Sequence, residues 1–296
     1  MQLIHQEEKK AMIGFCLPGD QGDMENSTAF MSKAMTFYST EFGVYPFSDY
    51  KMVFVSEPRS DHAVGATMSL FSSELLHPPE IIDQVFETRQ VLGLALAQQW
   101  LGVNIIPRTL ADTWVVNGLC IYIYGLFLRH LQGNNEYRFR LKREIDRCAR
   151  MDQGDKAPIC QPGAQEIDVE FINLKAPLVM HILDRYLTKT GTSSGLSRII
   201  PKIFLAALSD ELPGNTISTQ SFFKYCRKAS GLDLGPFHDQ WIFGSGCPKM
   251  KVQTNFIRKK FVVELTVEQT QPAAKSKLRP TQFFEVSYYL SVSADK

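Results

Sequence analysis

The sequence predicts an α+β protein, in which a domain of mixed helices and strands is followed by the start of an antiparallel β domain. Up to about Gly246, apolar residues recur mainly at helical spacing, with short strand-like runs between the helices. After Pro248 the pattern changes to alternation, which is typical of strands with one buried face. With 296 residues, 44% of them hydrophobic, the chain is long enough for two cores. We therefore expect one domain over 1–247 and part of another over 248–296.

The first predicted elements are a strand, a helix and a second strand. Lys10 to Leu17 has the pattern of a strand, which a polar turn containing proline brings to an end. Ser27 or Thr28 can cap the following helix, whose apolar residues recur at helical spacing up to Gly43. Lys51 to Ser56 is expected to form the next strand.

Two helices joined by a short loop form the centre of the predicted domain. The first is expected from Thr88 to Leu101 and stops at Gly102, because glycine suits the positive-φ position after a helix. The second starts near Ala111 or Asp112 and is apolar almost all the way round, which indicates a buried helix. Its apolar run, Trp114 to Leu128, is shorter than a bilayer span, so we expect no contact with a membrane.

This helix pair has the framework residues of a zinc peptidase, that is, the residues that surround the metal site without binding the metal. We call these residues the frame. The segments LALAQQWLG (94–102) and TWVVNGL (113–119) resemble HELAHQWFG and LWLNEGF of the M1 gluzincin aminopeptidases. The positions that match the family's Gln, Trp, Gly, Trp and Gly are Gln99, Trp100, Gly102, Trp114 and Gly118. The resemblance implies a thermolysin-like first domain of the M1 aminopeptidase type, with a β-sandwich beginning after it.

The residues that carry the family's chemistry are replaced. Leu94 and Gln98 fill the two histidine positions, Ala95 fills that of the general base, and Asn117 fills that of the third ligand. In the same alignment Asn173 stands where the family has the tyrosine that stabilises the oxyanion. Zinc requires imidazole, thiolate or carboxylate ligands, and alanine cannot take a proton from a metal-bound water. We therefore expect no catalytic residues, no metal and no cofactor.

One motif of the same family occurs at the wrong place in the chain. Residues 22–26, GDMEN, resemble the motif with which M1 enzymes hold the free amine of the substrate. A helix and a strand separate them from the helix pair, whereas the family has the motif shortly before it. The segment that matches by order, Ala63 to Met68, contains neither Glu nor Asn. We expect 22–26 to be a surface turn before a helix.

Four segments indicate which branch of this wider family the chain resembles. They are MSLFSSELLH (68–77), ALAQQWLG (95–102), GNNEYR (133–138) and KAPLVM (175–180). They are similar to the aminopeptidase-like TBP-associated factors, which are subunits of the general transcription factor TFIID. The likeness extends from about Ala11 to Thr266. It implies a nuclear, non-enzymatic protein that binds core-promoter DNA in the initiator region and helps to assemble the RNA polymerase II preinitiation complex. Other TFIID subunits and promoter DNA would be its partners, with no small-molecule substrate.

Two alternatives to this function stay open. The first is a structural protein-interaction scaffold on the same fold, with no DNA contact in this segment. The second is an atypical aminopeptidase that works without the usual ligands. The net charge of +1 provides no general attraction to nucleic acid, so DNA binding would need a local basic patch.

Two basic patches could provide the local positive charge that DNA binding would need. In a helix expected from Glu136 to about Met151, the arginines occupy a sector about 80° wide, opposite Tyr137, Leu141, Ile145 and Cys148. They are Arg140, Arg143, Arg147 and Arg150. The second patch is a turn between two predicted strands, composed of Arg258, Lys259 and Lys260. Each patch could instead be an ordinary solvated surface with local ion pairs.

The remaining stretches complete the predicted fold. Asp152 to Asp168 is rich in glycine, proline and polar residues, and is expected to be a surface loop. Further helices are expected over Lys175 to Leu187, Leu196 to Leu208, Thr219 to Ser230 and Leu234 to Phe243. The alternating strand residues are Phe261, Val263, Leu265 and Val267, then Phe284, Val286, Tyr288, Leu290 and Val292. About three strands do not close a stable sheet, so we expect the sequence to be a fragment.

The cysteines and histidines show no pattern of a metal or disulfide site. The six cysteines are scattered without a C-x-x-C motif, which favours a reducing compartment. No two histidines lie three to five residues apart, so the sequence contains no local histidine pair for a metal.

Overall fold

The computed structural model describes residues 2–7, 10–60, 62–189 and 195–270. The helices are α1 (Gln21–Thr28), α2 (Met31–Glu41), α3 (Val85–Gln98), α4 (Thr113–Gln132), α5 (Asn134–Met151), α6 (Val169–Lys189), α7 (Leu196–Leu208), α8 (Thr219–Ser230) and the short α9 (Gly235–Phe237). The strands are β1 (Gln2–Glu7), β2 (Lys10–Phe15), β3 (Asp49–Val55), β4 (His62–Gly65), β5 (Met68–Ser72), β6 (Ile106–Pro107), β7 (Thr216–Ile217), β8 (Lys249–Ile257) and β9 (Val262–Thr270). The predicted mixture of helices and strands is confirmed.

A five-stranded mixed sheet precedes the helices. Its order is β1-β2-β3-β5-β4, with β2, β3 and β5 parallel and the two edge strands antiparallel to their neighbours. In β3, buried and half-buried residues alternate, so that Tyr50, Met52 and Phe54 face the core. Because β4 is an edge strand, its outer side is free to line the cavity described below.

The helix α4 is the centre of the helical part. It packs against α3, α5 and α6, and 11 of its 20 residues are buried. At Gly118 the approach of α6 is so close that an added Cβ would lie 3.0 Å from Ala176 Cβ and 3.3 Å from the Ala176 carbonyl oxygen. A side chain at 118 would therefore force the two helices apart.

Burial, and not length, is the reason to regard α4 as a core helix. In the described part of the chain, Leu110–Gln132 is long and apolar enough to cross a membrane by length and composition. The sequence analysis considered only the apolar run of 114–128 and predicted that it is too short to span a bilayer. That prediction was wrong, because the helical segment is 23 residues long. However, 67% of its apolar window is buried inside the protein, as for the core helix of a globular domain.

Hydrogen bonds from two side chains at the end of α3 fix its position. Gln99 is fully buried, donates from Nε2 to the Gly65 carbonyl oxygen at 3.0 Å and accepts from the Thr67 backbone N–H at 3.1 Å. The Trp100 indole donates to the Gly43 carbonyl oxygen at 3.1 Å. These bonds join the helix to the sheet and to the segment after α2, and they satisfy polar groups that burial would otherwise leave unpaired.

A buried aspartate joins α4 to α8. One oxygen of Asp112 accepts from the N–H (3.2 Å) and hydroxyl (2.7 Å) of Thr109. The other accepts from the N–H (2.7 Å) and hydroxyl (2.8 Å) of Thr219, which begins α8. Trp114 also donates to the Thr219 hydroxyl, at 3.0 Å. The carboxylate thus fixes the start of two helices that are far apart in sequence.

Several boundaries differ from those predicted. The helices α7 and α8 have the predicted bounds, whereas α3 begins at Val85 and ends at Gln98. The motif at 22–26 lies inside α1 and is not a turn. The prediction that Ser27 or Thr28 caps the next helix is wrong, because both are the last residues of α1 and Phe30 stands at the N-cap of α2.

The burial of residues in two segments was also predicted wrongly. Within the supposed surface loop, Asp152 is fully buried, and so are Ile159 and Cys160. The reason is a buried ion pair, 2.5 Å long, between Asp152 and Lys175 of α6, which draws the chain into the core. On α5, Ile145 was expected on the covered side but is 43% exposed.

The hairpin β8–β9 confirms a strand on each side of the basic turn, although Phe261, predicted as a strand residue, lies in the turn. Its residues pair in antiparallel register from Lys249 with Thr270 to Ile257 with Val262. The division of the chain at 247/248 and the β-sandwich remain predictions. The second set of predicted strand residues lies outside the described residues: Phe284, Val286, Tyr288, Leu290 and Val292.

The Asp112 bonds give a test of this fold. We expect Asp112→Ala to lower the free energy of unfolding by about 2–4 kcal/mol, because buried donors of Thr109 and Thr219 lose their acceptor. Urea titration followed by circular dichroism measures the change. The matched control is Asp146→Ala, which removes an exposed carboxylate of α5 and should cost less than about 1 kcal/mol. Equal effects of the two substitutions would contradict the role given to Asp112.

Candidate functional site

A cavity of about 320 Å³ lies where the C-terminal part of α3 faces α4, α6 and the edge strand β4. Four of the five residues predicted at the altered zinc site line it. They are Leu94, Gln98, Asn117 and Asn173. The fifth, Ala95, is fully buried and is not part of the lining.

Neutral amides provide most of the polar chemistry at this cavity. The Asn117 side-chain nitrogen donates to the Asn173 side-chain oxygen at 2.7 Å, across the gap between α4 and α6. The Gln98 side-chain oxygen is buried, and no described residue donates a hydrogen bond to it. Amides of this kind can hold a neutral polar group, but they carry no charge that would attract a metal ion.

Two lining residues were missed by the sequence analysis. His62 belongs to the edge strand β4 and Cys120 lies one turn after Asn117 on α4. Burial raises the pKa of the Cys120 thiol, so it stays protonated at neutral pH and is not a thiolate ligand. No local motif marks His62, because only the order of strands in the sheet brings it to this place.

The residues present do not fit a zinc ion. Catalytic zinc sites use three protein ligands with imidazole, thiolate or carboxylate groups. The described residues contain no group of three or more His, Cys, Asp or Glu side chains that could hold a metal ion. Leu94 has no lone pair to donate, and Gln98 and Asn117 offer only amide oxygens. No step that depends on a metal can be assigned to this cavity.

A second groove, of about 450 Å³, adjoins this cavity and shares Leu94, Ile121 and Asn173 with it. The arginines Arg140, Arg143 and Arg147 line the groove together with Glu144 and Glu170. Arg140 is only 18% exposed and donates to Glu136 at 2.6 Å. Arg147 donates to Glu170 of α6 at 2.8 Å. Nearby carboxylates therefore neutralise much of the arginine row. Arg143, Arg147 and Arg150 are all exposed, but among the described residues Arg150, at the end of α5, forms no ion pair.

The basic turn has different surroundings. Arg258, Lys259 and Lys260 are all exposed at the tip of the β8–β9 hairpin. Within the described ranges no carboxylate forms an ion pair with them. Their charges are therefore more available to an anionic partner than those of the arginine row.

A third cavity, of about 1120 Å³, lies elsewhere. It is at the N-terminal ends of α4 and α8, and its lining includes Arg108, Asp112, Arg227 and His238. Both carboxylate oxygens of Asp112 already accept hydrogen bonds from threonines. Most of the remaining lining is apolar, and we assign no chemistry to this cavity.

Comparison with known proteins shows which proteins the chain is similar to. No protein-family model matches the chain. A protein of Schizosaccharomyces pombe named transcription initiation factor TFIID subunit 2 is 43% identical over 264 residues, which is 88% of this chain and 22% of that protein. The chain is homologous to one segment of TFIID subunit 2. The Saccharomyces cerevisiae TFIID subunit 2 is 39% identical over 270 residues, or 87% of this chain and 19% of that protein. The chain therefore spans about a fifth of the length of these two relatives.

Solved structures show which fold the chain adopts. An aminopeptidase A of Legionella pneumophila matches 88% of this chain, over 29% of its own length, with a TM-score of 0.70 and 16% identity. An M1 zinc metallopeptidase of Deinococcus radiodurans matches 81% of this chain, over 49% of its own length, with a TM-score of 0.58 and 15% identity. At this identity the comparison establishes the aminopeptidase fold alone, so the predicted fold type is confirmed while activity is not transferred.

The burial of Ala95 gives a test of the altered site. We expect Ala95→Glu to lower the free energy of unfolding by about 3 kcal/mol or more, because the carboxylate would enter a fully buried position without a metal nearby. The measurement is urea unfolding in the presence of a chelator. The matched control, Ala149→Glu, places the same side chain on the exposed side of α5 and should cost less than about 1 kcal/mol. An Ala95→Glu variant as stable as the control would mean that position 95 accepts a charge.

Proposed function

We propose that the chain is a non-catalytic segment of a transcription initiation factor. It acts in the nucleus, within a TFIID-type complex, in binding core-promoter DNA at the initiator region and in assembling the RNA polymerase II preinitiation complex. The observation that carries this is the combination of 43% identity to a TFIID subunit 2 with an aminopeptidase frame that lacks zinc ligands. Its partners are other TFIID subunits and promoter DNA, without a small-molecule substrate or cofactor.

The absence of peptidase chemistry follows from the side chains around the cavity. Hydrolysis on this fold needs an activated water and a base that removes its proton. Ala95 has no proton acceptor, while Gln98 and Asn117 are neutral over the whole physiological pH range. The atypical aminopeptidase therefore receives no support from the described residues.

The DNA contact that we propose is the turn of Arg258, Lys259 and Lys260. Affinity for DNA comes largely from cations that meet phosphates, and exposed cations without a carboxylate partner are best placed for this. The three side chains lie at the tip of a hairpin, where they project from the β8–β9 strands. The arginine row of α5 contributes less, because Glu136, Glu144 and Glu170 lie beside it.

The alternative is a structural scaffold that makes no DNA contact in this segment. The net charge of +1 favours it, since the surface as a whole has no attraction for DNA. The ion pairs of the arginine row favour it as well, because these arginines already have partners. The two functions differ in whether the basic turn is needed for affinity.

Promoter binding at several salt concentrations separates the two functions. We expect the triple variant R258Q, K259Q, K260Q to bind promoter duplex more weakly and with a smaller dependence on salt. Each lost phosphate contact should reduce the slope of log K against log [salt] by about 0.9. Fluorescence anisotropy with the chain, and then with the assembled complex, measures both quantities.

The matched control removes the same number of charges from α5. We expect R143Q, R147Q, R150Q to change affinity and slope much less, because Arg143 and Arg147 already have glutamate partners. If neither variant changes binding, the scaffold without DNA contact is supported. If only the α5 variant does, the DNA lies along that helix and the assignment to the turn is wrong.

A further inference from the structure

The basic turn also carries the most exposed large apolar side chain that the structure describes. Phe261, which directly follows Lys260, is 87% exposed. Single apolar side chains are common on protein surfaces and need no function to explain them. Two further observations, on the backbone of this residue and on the charges beside it, distinguish Phe261 from such side chains.

The backbone at Phe261 has a conformation that suits another residue. Its φ angle is 50°, in the left-handed region, where turns favour glycine or asparagine over a bulky side chain. Backbone bonds hold the turn: the Lys260 N–H donates to the Ile257 carbonyl oxygen at 3.1 Å. The Phe261 N–H donates to the Arg258 carbonyl oxygen at 3.4 Å. The ring is not part of the hydrophobic core. Neither the turn nor the core therefore explains a phenylalanine here, and such an outlier is a reason to look for a function.

The charges next to the ring are positive. The three cations of the basic turn are exposed and directly precede Phe261. The nearest carboxylate along the chain, Glu264, lies within β9 opposite Asn255 and outside the turn. A flat apolar ring beside cations without a carboxylate partner suits a ligand that has stacked apolar surfaces between anionic groups. DNA is such a ligand, because its bases stack between two rows of phosphates.

The hairpin can carry this ring to a groove of DNA. Most described residues of β8 and β9 are exposed, so neither strand is packed into the helical part of the chain. The turn lies beyond the last strand pair, Ile257 with Val262. A two-stranded ribbon fits a groove of B-DNA, and proteins of this type read the major or the minor groove. The ring is already exposed, so the chain needs no rearrangement to present it.

We propose that Phe261 is a wedge that enters the base stack of promoter DNA from the minor groove, while the cations of the basic turn bind the adjacent phosphates. The proposal rests on the proposed DNA contact of this turn and adds to it a contact with the bases. Proteins that bend DNA insert an apolar side chain, such as phenylalanine or leucine, between two base pairs. The insertion partly unstacks these base pairs and kinks the duplex by roughly 20–90°.

A wedge would make binding depend on the DNA sequence without a hydrogen bond to a base. Pyrimidine–purine steps such as TA unstack most easily, so the ring should enter at a step of this type. Contacts between cations and phosphates carry no direct sequence information. Phe261 would therefore determine sequence preference, and the basic turn would be the source of affinity.

The test measures the shape of the bound DNA. A core-promoter duplex labelled at its two ends is mixed with the full chain, and then with the assembled complex, and energy transfer between the labels reports the bend. Permanganate oxidation reports the thymines that have become unstacked. We expect a bend of roughly 20° or more, and increased reactivity of a thymine at one pyrimidine–purine step.

Variants assign the bend to the ring. Phe261→Ala should lose the bend and the reactive thymine, while the dependence of affinity on salt stays unchanged because no cation is removed. Phe261→Leu retains an apolar wedge and should keep the bend and the reactive thymine. The matched control, Phe256→Ala, removes the same ring from β8, where it is 53% exposed, and should also keep both.

The outcomes separate this inference from the proposed DNA contact. If removal of the three cations weakens binding but the unmodified chain leaves the duplex straight, the wedge is wrong and the phosphate contact stands. The same holds if Phe261→Ala bends the duplex as strongly as the unmodified chain. If the chain does not bind the duplex, or binding does not depend on the three cations, the proposed contact fails and the wedge with it.

Two further results are decisive. A straight duplex, together with binding to phosphatidylserine vesicles that Phe261→Ala abolishes, would assign the ring to a lipid surface and overturn the wedge. If Phe261→Ala does not fold, as judged by circular dichroism, the bend with the unmodified chain and with Phe261→Leu still decides, since a straight duplex in either case contradicts the wedge.

Discussion

The close approach of α4 and α6 at Gly118 is the contact on which the rest of the helical part depends. The Cβ atom of any other residue at this position would lie 3.0 Å from the Cβ of Ala176. The same approach brings Asn117 of α4 within 2.7 Å of Asn173 of α6, and so defines one wall of the cavity. The cavity therefore results from how two helices pack, whatever side chains line it.

This explains how the frame of a zinc peptidase can exist without its chemistry. The frame residues have structural bonds of their own: Gln99 to the β4–β5 turn, Trp100 to Gly43, and Trp114 to Thr219. None of these bonds involves a metal. At the chemical positions, by contrast, charged side chains would be buried without a counter-ion at a cost of several kcal/mol. The stability of the folded protein alone would therefore favour uncharged side chains at these positions. The chain has such side chains there: Leu94, Ala95, Gln98 and Asn117.

The sequence was sufficient wherever a local pattern determined the structure. The apolar periodicity of α7 and α8 gave their bounds, and the alternation around the basic turn gave the β8–β9 hairpin. It was insufficient where a distant partner decided the outcome. Asp152 lies in a polar stretch typical of loops, yet Lys175 draws it into the core. His62 reaches the cavity only because β4 pairs at the edge of the sheet.

On this aminopeptidase frame, neutral amides line the cavity, and we expect it not to bind zinc. The most direct measurement is a crystal structure of the protein grown with excess zinc, with anomalous differences collected at the zinc edge. We predict no zinc peak within about 2.5 Å of the side chains of Gln98 or Asn117. A zinc peak coordinated by these amides, alone or together with His62, would contradict the account.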